Sequence, residues 1–270
     1  MPLELDWVLV SLAGTLGLVV GSFVNVVVYR LPRMLERDWA LESALYQGKE
    51  IPPAPPLNLF FPRSHCPQCK ACIRWYHTIP LLSFIVLRGK CARCHHAIGL
   101  RYPAIECSTA LIFMFCALRW GLTPSAGLWC ILGSGLLALA CIDWDTHLLP
   151  DSLVLPLLWL GLLAASVGWT PVALEASVWG AALGYLSLWL VFWCFKWVSG
   201  KEGMGYGDFK LLACLGAWFG WSMLLPIVLL ASIAGSLVGI ALKLSHRLGP
   251  GEPIPFGPFL VGAGFIAMGI

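Results

Sequence analysis

The stretch WVLVSLAGTLGLVVGSFVNVVVY, Trp7–Tyr29, runs for 23 residues without a charge. The hydrocarbon core of a bilayer is about 30 Å thick and takes about 20 helical residues to cross, so this run is long enough to span it. Glu4 and Asp6 precede it where a secretory signal would carry basic residues, and Tyr29-Arg30 follow where a cleavage site would need small ones. The run therefore reads as a retained span rather than a signal peptide.

The rest of the 270-residue chain has the same character. It is 59% hydrophobic and only 11% charged, holds 14 tryptophans and has a mean hydropathy of +0.82. A soluble domain carries roughly 25% charged residues, so the composition excludes one and predicts an all-α polytopic membrane protein. Seven further apolar runs follow: Ala104–Leu118, Ser125–Ile142, Leu153–Val167, Val178–Phe195, Phe209–Phe219, Met223–Leu242 and Phe256–Ile270. Together they predict about eight transmembrane helices, the sixth of them short.

The basic residues orient these spans. Eleven Lys and Arg lie between the first two runs, three more between Lys196 and Lys210, and two at Lys243 and Arg247. If the first interval faces the cytoplasm, 16 of the 17 basic residues are inside and only Arg119 is outside. The positive-inside rule then puts both termini on the outer face. The net charge of +3 reflects this topology, next to anionic lipid, and not a nucleic-acid partner.

Residues 30–103 are unlike the rest. They hold 15 of the 31 charged residues, the proline cluster IPPAPP (Ile51–Pro56) and two cysteine pairs, and they read as a small cytoplasmic domain between the first span (1–29) and a seven-span core (104–270). No internal repeat is evident. Cys66-Pro-Gln-Cys69 and Cys91-Ala-Arg-Cys94 are separated by 21 residues, close to the spacing of a four-thiolate zinc site. Such a site closes a domain too small for a large core, and a reducing cytoplasm disfavours disulfides. With four cysteines as ligands there is no open position for water, so the zinc is expected to be structural. Cys72, His65, His95 and His96 sit beside the tetrad and read as polar residues of the knuckles. Cys107, Cys116, Cys130, Cys141, Cys194 and Cys214 lie in or beside apolar spans and read as packing residues.

Two short loops collect the acids of the core: CIDWDTHLLPD, Cys141–Asp151, and KEGMGYGDFKLLA, Lys201–Ala213. Counting crossings brings Asp143, at the inner end of the third span, and Asp208, at the start of the sixth, to the same cytoplasmic face. Two carboxyls sharing a partly buried site hold one proton between them. The ionised one can take a proton from a water attacking a peptide carbonyl, and the protonated one can polarise that carbonyl. This is the chemistry of an aspartic protease. Gly203, Gly205 and Gly207 would let an extended substrate approach the loop. Gly-Asp ahead of an apolar run is equally a helix N-cap.

Other polar residues have plainer readings. Asp151, after Pro150, is an N-cap of the fourth span, and Asp145 assists or faces water. Glu106, inside the second span, hydrogen-bonds to polar neighbours or to the active loop. Lys201, Glu202 and Lys210 meet lipid headgroups, and Asn25 makes an interhelical hydrogen bond beside Gly21 and Ser22.

Taken in order, GSFVNVVVYRLP (Gly21–Pro32), the paired cysteines of Cys66–Cys94, IDWDTHLLPD (Ile142–Asp151), GMGYGDFK (Gly203–Lys210) and PIPFGP (Pro253–Pro258) resemble the bacterial type IV prepilin peptidases, also called prepilin leader peptidase/N-methyltransferases. Val24 stands where that family often has leucine. The resemblance implies a multi-pass protein of the bacterial inner membrane and an aspartyl protease of the GxGD type. It would cut the leader of type IV prepilins, or of type II secretion pseudopilins, on the cytoplasmic side, with Asp143 and Asp208 as the catalytic pair. It further implies zinc on Cys66, Cys69, Cys91 and Cys94, and methylation of the new N-terminus from S-adenosylmethionine, for which no methyl-donor fingerprint is visible. Two other readings compete. A proton-coupled transporter predicts inverted repeats and polar groups at the bilayer midplane. A zinc-bearing scaffold of a secretion or pilus machine predicts no catalysis.

Overall fold

The computed structural model describes residues 3–48, 57–201, 203–245, 249 and 253–269, with the side chains of 3–6, 75 and 77 left out. The proline cluster Ile51–Pro56, Lys49, Glu202, Arg247 and Ile270 lie outside the described residues. Nine α-helices are described: α1 Leu3–Tyr46, α2 Leu82–Val86, α3 Arg101–Trp120, α4 Pro124–Thr146, α5 Asp151–Ser166, α6 Leu174–Ser199, α7 Tyr206–Phe219, α8 Leu224–Leu244 and α9 Gly257–Gly269. The described residues form no strand beyond two isolated bridges.

Each of the eight apolar runs is a helix. Five stretches are long and apolar enough to cross a membrane: Trp7–Tyr46, Arg101–Trp120, Pro124–Thr146, Leu174–Ser199 and Trp221–Leu244. Helices α5, α7 and α9 have 16, 14 and 13 residues. At 1.5 Å per residue they reach only about 20–24 Å, short of the hydrocarbon thickness. The chain is thus a multi-pass, all-helical membrane protein with five helices of crossing length.

The chain divides into two compact units, Met1–Ser134 and Gly135–Ile270. In the first, α1 continues past Tyr29, because Met34–Ala44 is rich in strong helix formers. Pro32 lies inside the helix and removes one hydrogen bond without ending it. The upper part of α1 packs tightly on α3, since a Cβ at Gly17 would stand 2.7 Å from Ala110 Cα and one at Gly21 2.7 Å from Glu106 Cα. Asn25 Nδ2 donates to the Tyr102 carbonyl at 3.1 Å, the interhelical bond expected of it. Buried Arg30 donates to the carbonyls of Asn58 at 3.0 Å, Leu59 at 3.3 Å and Pro62 at 2.6 Å, tying the loop beyond Ile51–Pro56 back to α1.

The cysteine-bearing part consists of two copies of one turn. Cys66 N–H donates to Ala71 O and Lys70 N–H to Cys66 O; 25 residues later Cys91 N–H donates to His96 O and His95 N–H to Cys91 O. Lys70 and His95 both have φ +55°, and the bridges His65↔Cys72 and Lys90↔Ala97 close the two turns identically. This short repeat escapes notice in the sequence because the turns share little beyond their cysteines.

In the second unit α7 is the central helix. Every residue from Asp208 to Phe219 is buried except Lys210, with α5, α6 and α9 packed on it. A helix apolar on all sides is a buried one, which is why this run is both short and without a polar face. Backbone contact with α6 requires glycine on both sides: a Cβ at Gly180 would stand 2.1 Å from Gly216 O, and one at Gly216 the same distance from Gly180 O. Ser177 Oγ donates to Ala217 O at 2.5 Å and Trp218 Nε1 to Leu157 O at 2.8 Å, anchoring α7 to α6 and α5.

Candidate active site and metal centre

Asp143 and Asp208 meet in the second unit. Asp143 is in the last turn of α4 and Asp208 in the first turn of α7. They are 5% and 7% exposed, so both carboxyls are largely withdrawn from water. They are close enough for the charge of one to act directly on the other. The N-cap of α7 is Gly205 and not Asp208, whose carboxyl faces the Gly205 N–H from the first turn. This is the favourable end of a helix for an anion.

A third element completes the pair. Gly257, the first residue of α9, donates its N–H to Asp143 Oδ2 at 3.0 Å. A Cβ there would stand 2.5 Å from that oxygen and 3.1 Å from Cγ, so only glycine brings this N–H to the carboxylate. His147 follows α4 with φ +54° and donates its N–H to Asp143 O at 2.9 Å. The chain then turns so that Leu149 lies under both glycine loops, 2.7 Å from a Cβ placed on Gly207 and 3.4 Å from one on Gly257. Gly257, His147 and Leu149 had no assigned role in the sequence reading. PIPFGP was noted only as part of a resemblance, and nothing local in it says that its glycine reaches a carboxylate 114 positions away.

The glycines of GMGYGD divide their work differently from the expectation. A Cβ at Gly203 would meet the Phe195 ring at 2.8 Å and one at Gly207 would meet Leu149 Cβ at 2.7 Å, so these two serve packing within the protein. Gly205 alone is open, with Asp208 Oδ2 the nearest side-chain atom at 3.9 Å. None of the three has a positive φ; space and not a special backbone shape is what they supply. Asp151 is the first residue of α5, after the N-cap Pro150, and its carboxylate takes both oxygens to Lys210 Nζ at 2.7 Å. The expected N-cap and the expected lipid-facing lysine are instead one bidentate ion pair joining α5 to α7. Asp145 is exposed.

In the first unit the four sulfurs of Cys66, Cys69, Cys91 and Cys94 lie within 4.8 Å of one another, and Cys66 Sγ is 3.8 Å from Cys94 Sγ. A tetrahedral zinc with bonds of about 2.3 Å sets its sulfurs roughly 3.8 Å apart, so the cluster fits the ion. The N–H groups of Cys94 and Arg93 pull the Cys91 thiol down to about 6, and those of Cys69 and Gln68 lower Cys66, toward the thiolate that a metal takes. Against the His96 N–H, which lowers it, burial and the neighbouring thiols of Cys91, Cys69 and Cys66 drive Cys94 up to about 11. A divalent cation relieves that crowding. Changing Cys66 and Cys91 together to serine is expected to reduce bound zinc, measured by plasma mass spectrometry, from about one ion per chain to none. Unchanged zinc content in the double variant would remove the tetrad as its ligands.

The same unit holds a cavity of about 520 Å³, whose walls include Asn25, Tyr29, Phe84, Tyr102 and Glu106. Glu106 is 9% exposed and accepts from the Leu81 N–H at 2.9 Å. This is the hydrogen bond to a polar neighbour expected of Glu106.

Comparison with known proteins accords with both parts. Residues 15–120 match the family model described as the bacterial peptidase A24 N-terminal domain, and residues 130–240 match the type IV leader peptidase family. A protein of Pseudomonas aeruginosa named prepilin leader peptidase/N-methyltransferase is 52% identical over 254 residues, covering 94% of this chain and 87% of that protein. Proteins of the same name from Stutzerimonas stutzeri and Aeromonas hydrophila are 50% identical over 256 residues and 47% over 270. These alignments cover 94% and 98% of this chain, and 88% and 91% of the relatives. No solved structure matches the chain.

Proposed function

The chain belongs to the type IV leader peptidase family, and on that premise we propose that it is an inner-membrane aspartyl protease that removes the leader of prepilins, with Asp143 and Asp208 as its catalytic pair. The observation that carries the proposal is the meeting of these two buried carboxyls at helix ends, 65 positions apart in sequence, with Gly257 N–H fixed on one of them. The pair holds one proton. The ionised carboxylate takes a proton from water as its oxygen bonds to the scissile carbonyl carbon, and the protonated carboxyl gives its proton to the carbonyl oxygen. Collapse of the resulting gem-diol breaks the C–N bond; the leaving amine takes a proton and the pair returns to its starting state. Gly205, the open glycine, is where a substrate backbone comes closest.

The location of the acids at helix ends favours hydrolysis at the membrane face over a transporter, which needs polar groups at the midplane. The enzymatic names of the relatives speak against a scaffold without chemistry. The distribution of basic residues supports a cytoplasmic active site, periplasmic termini and a cytoplasmic domain over residues 30–103 that begins within the continuous helix α1. On this reading α5, α7 and α9 cross with the five longer helices and make eight spans, in contact with membrane lipid. The four cysteines hold a structural zinc. Pseudopilins share the chemistry of the prepilin leader and are substrates of the same site.

The protein also methylates the N-terminus it exposes. S-adenosylmethionine supplies the methyl group when bound. Purified full-length protein in detergent, incubated with a synthetic prepilin peptide and the donor, is expected to yield free leader and a mature N-terminus heavier by one methyl group by mass spectrometry. A peptide recovered uncut would overturn the hydrolytic reading, whereas one cut but never methylated would overturn only the transferase part.

A further inference from the structure

We propose that the cavity of the first unit is the methyl-donor site and that Glu106 is the counter-ion of the donor's cationic end. The inference rests on the N-methyltransferase reading and gives it residues. Glu106 is a carboxylate 9% exposed, on the face of α3 against which α1 packs. Its partners are the Leu81 N–H and the Ser22 side chain, both neutral, and among the described residues no cationic group pairs with it. A buried carboxylate without a cation is costly, and such groups are normally paired. A carboxylate has lone pairs for more donors than these two, and Glu106 lines a cavity large enough for a ligand of nucleoside size.

The backbone opposite Glu106 is held in a strained form. Leu81 has φ +56° and ψ −47°, and the Leu82 N–H closes on Pro80 O at 2.5 Å. This is the rare γ-turn of positive φ, at a leucine where glycine would be unstrained. Its effect is to aim the Leu81 N–H at Glu106 Oε2. Strain of this kind marks a site whose geometry matters more than local stability. The other walls offer the aromatic rings of Phe84 and Tyr102 and the guanidinium groups of Arg33 and Arg93, the Tyr29 ring being covered by Arg33 at 3.6 Å. Aromatic faces suit both a purine and a sulfonium.

S-adenosylmethionine meets these three features: a planar base for the rings, an ammonium and a sulfonium for Glu106, and a carboxylate for an arginine of the wall. In the transfer, the amine nitrogen of the substrate bonds to the methyl carbon, the carbon–sulfur bond breaks with its electrons going to sulfur, and the amine gives up a proton to water. The product keeps its ammonium but its sulfur is a neutral thioether, so its attraction to Glu106 is weaker by the share of the sulfonium, and the site favours release after transfer.

The test is binding of S-adenosylmethionine and of S-adenosylhomocysteine to purified full-length protein by isothermal titration, beside the methylation assay. Glu106→Gln keeps an acceptor for the Leu81 N–H and removes only the charge. It is expected to weaken donor binding by at least about tenfold, as for a buried charge that loses its partner. Ser83→Trp fills the cavity from α2 while leaving Glu106 in the sequence, and is expected to abolish binding while zinc content stays that of the wild type. Should Glu106→Gln fail to fold, Ser83→Trp decides. Variants that bind the donor within twofold of wild type overturn the site, as does occupation of the cavity by a basic leader peptide in place of the donor. Wild-type protein that neither binds the donor nor methylates overturns the transferase reading itself.

Discussion

Asp143→Asn and Asp208→Asn are each expected to lower the rate of leader cleavage by roughly 10²–10⁴-fold, the range over which positioned acid–base groups act. Asparagine is nearly isosteric with aspartate, and at position 143 its carbonyl oxygen can still accept the Gly257 N–H. What it lacks is the capacity to take up a proton from water and return it. At 5% and 7% exposure each carboxyl is held in a poorly hydrated site; replacing it with a neutral amide removes the penalty of burying a charge. The melting temperature of either variant is therefore expected to equal or exceed that of the wild type, measured in the same detergent. Loss of cleavage in a protein that melts no earlier and still binds prepilin peptide belongs to the chemistry. Near wild-type cleavage by either single variant would remove that aspartate from the catalytic pair.

The helical class, the eight apolar helices and the cysteine cluster were legible because each rests on a local rule: run length, hydropathy, the spacing of C-x2-C pairs. The meeting of the two aspartates was anticipated because both stand at the ends of apolar runs, beside short loops. What escaped had no local signal. The ion pair of Asp151 with Lys210 depends on how α5 and α7 lie beside each other, and the order of residues favours an N-cap and a lipid-facing lysine equally well. The glycines of GMGYGD suggested an open groove, but Phe195 and Leu149 fill two of the three positions, and only packing reveals this. The span count is the same kind of question. A 14-residue helix buried from Asp208 to Phe219 except at Lys210 reads in sequence as a short membrane helix, and composition cannot separate those two surroundings. That no cationic group among the described residues pairs with Glu106 is a fact about absent neighbours, which a sequence does not display.

Gly257→Ala is expected to lower kcat for cleavage by about 10²-fold, the scale for displacing a catalytic group by about 1 Å, with KM for the prepilin peptide little changed. A methyl group at 257 would lie 2.5 Å from Asp143 Oδ2, inside van der Waals contact. Either Asp143 turns away or the start of α9 withdraws, and in both cases the 3.0 Å hydrogen bond is lost. The carboxylate then no longer has a single fixed orientation toward Asp208. Gly257 acts here as a positioning residue, through Asp143. Alanine has the higher helix propensity by about 1 kcal/mol, so backbone preference alone favours the variant, and the steric demand of the site opposes it. Gly262→Ala in the same helix separates the two effects, because a Cβ at 262 meets nothing within 4 Å. That control is expected to keep wild-type kcat and to melt at the same temperature or slightly above. If Gly257→Ala cuts prepilin peptide at the wild-type rate, the hydrogen bond to Asp143 has no part in catalysis, and α9 is only a packing helix for α7.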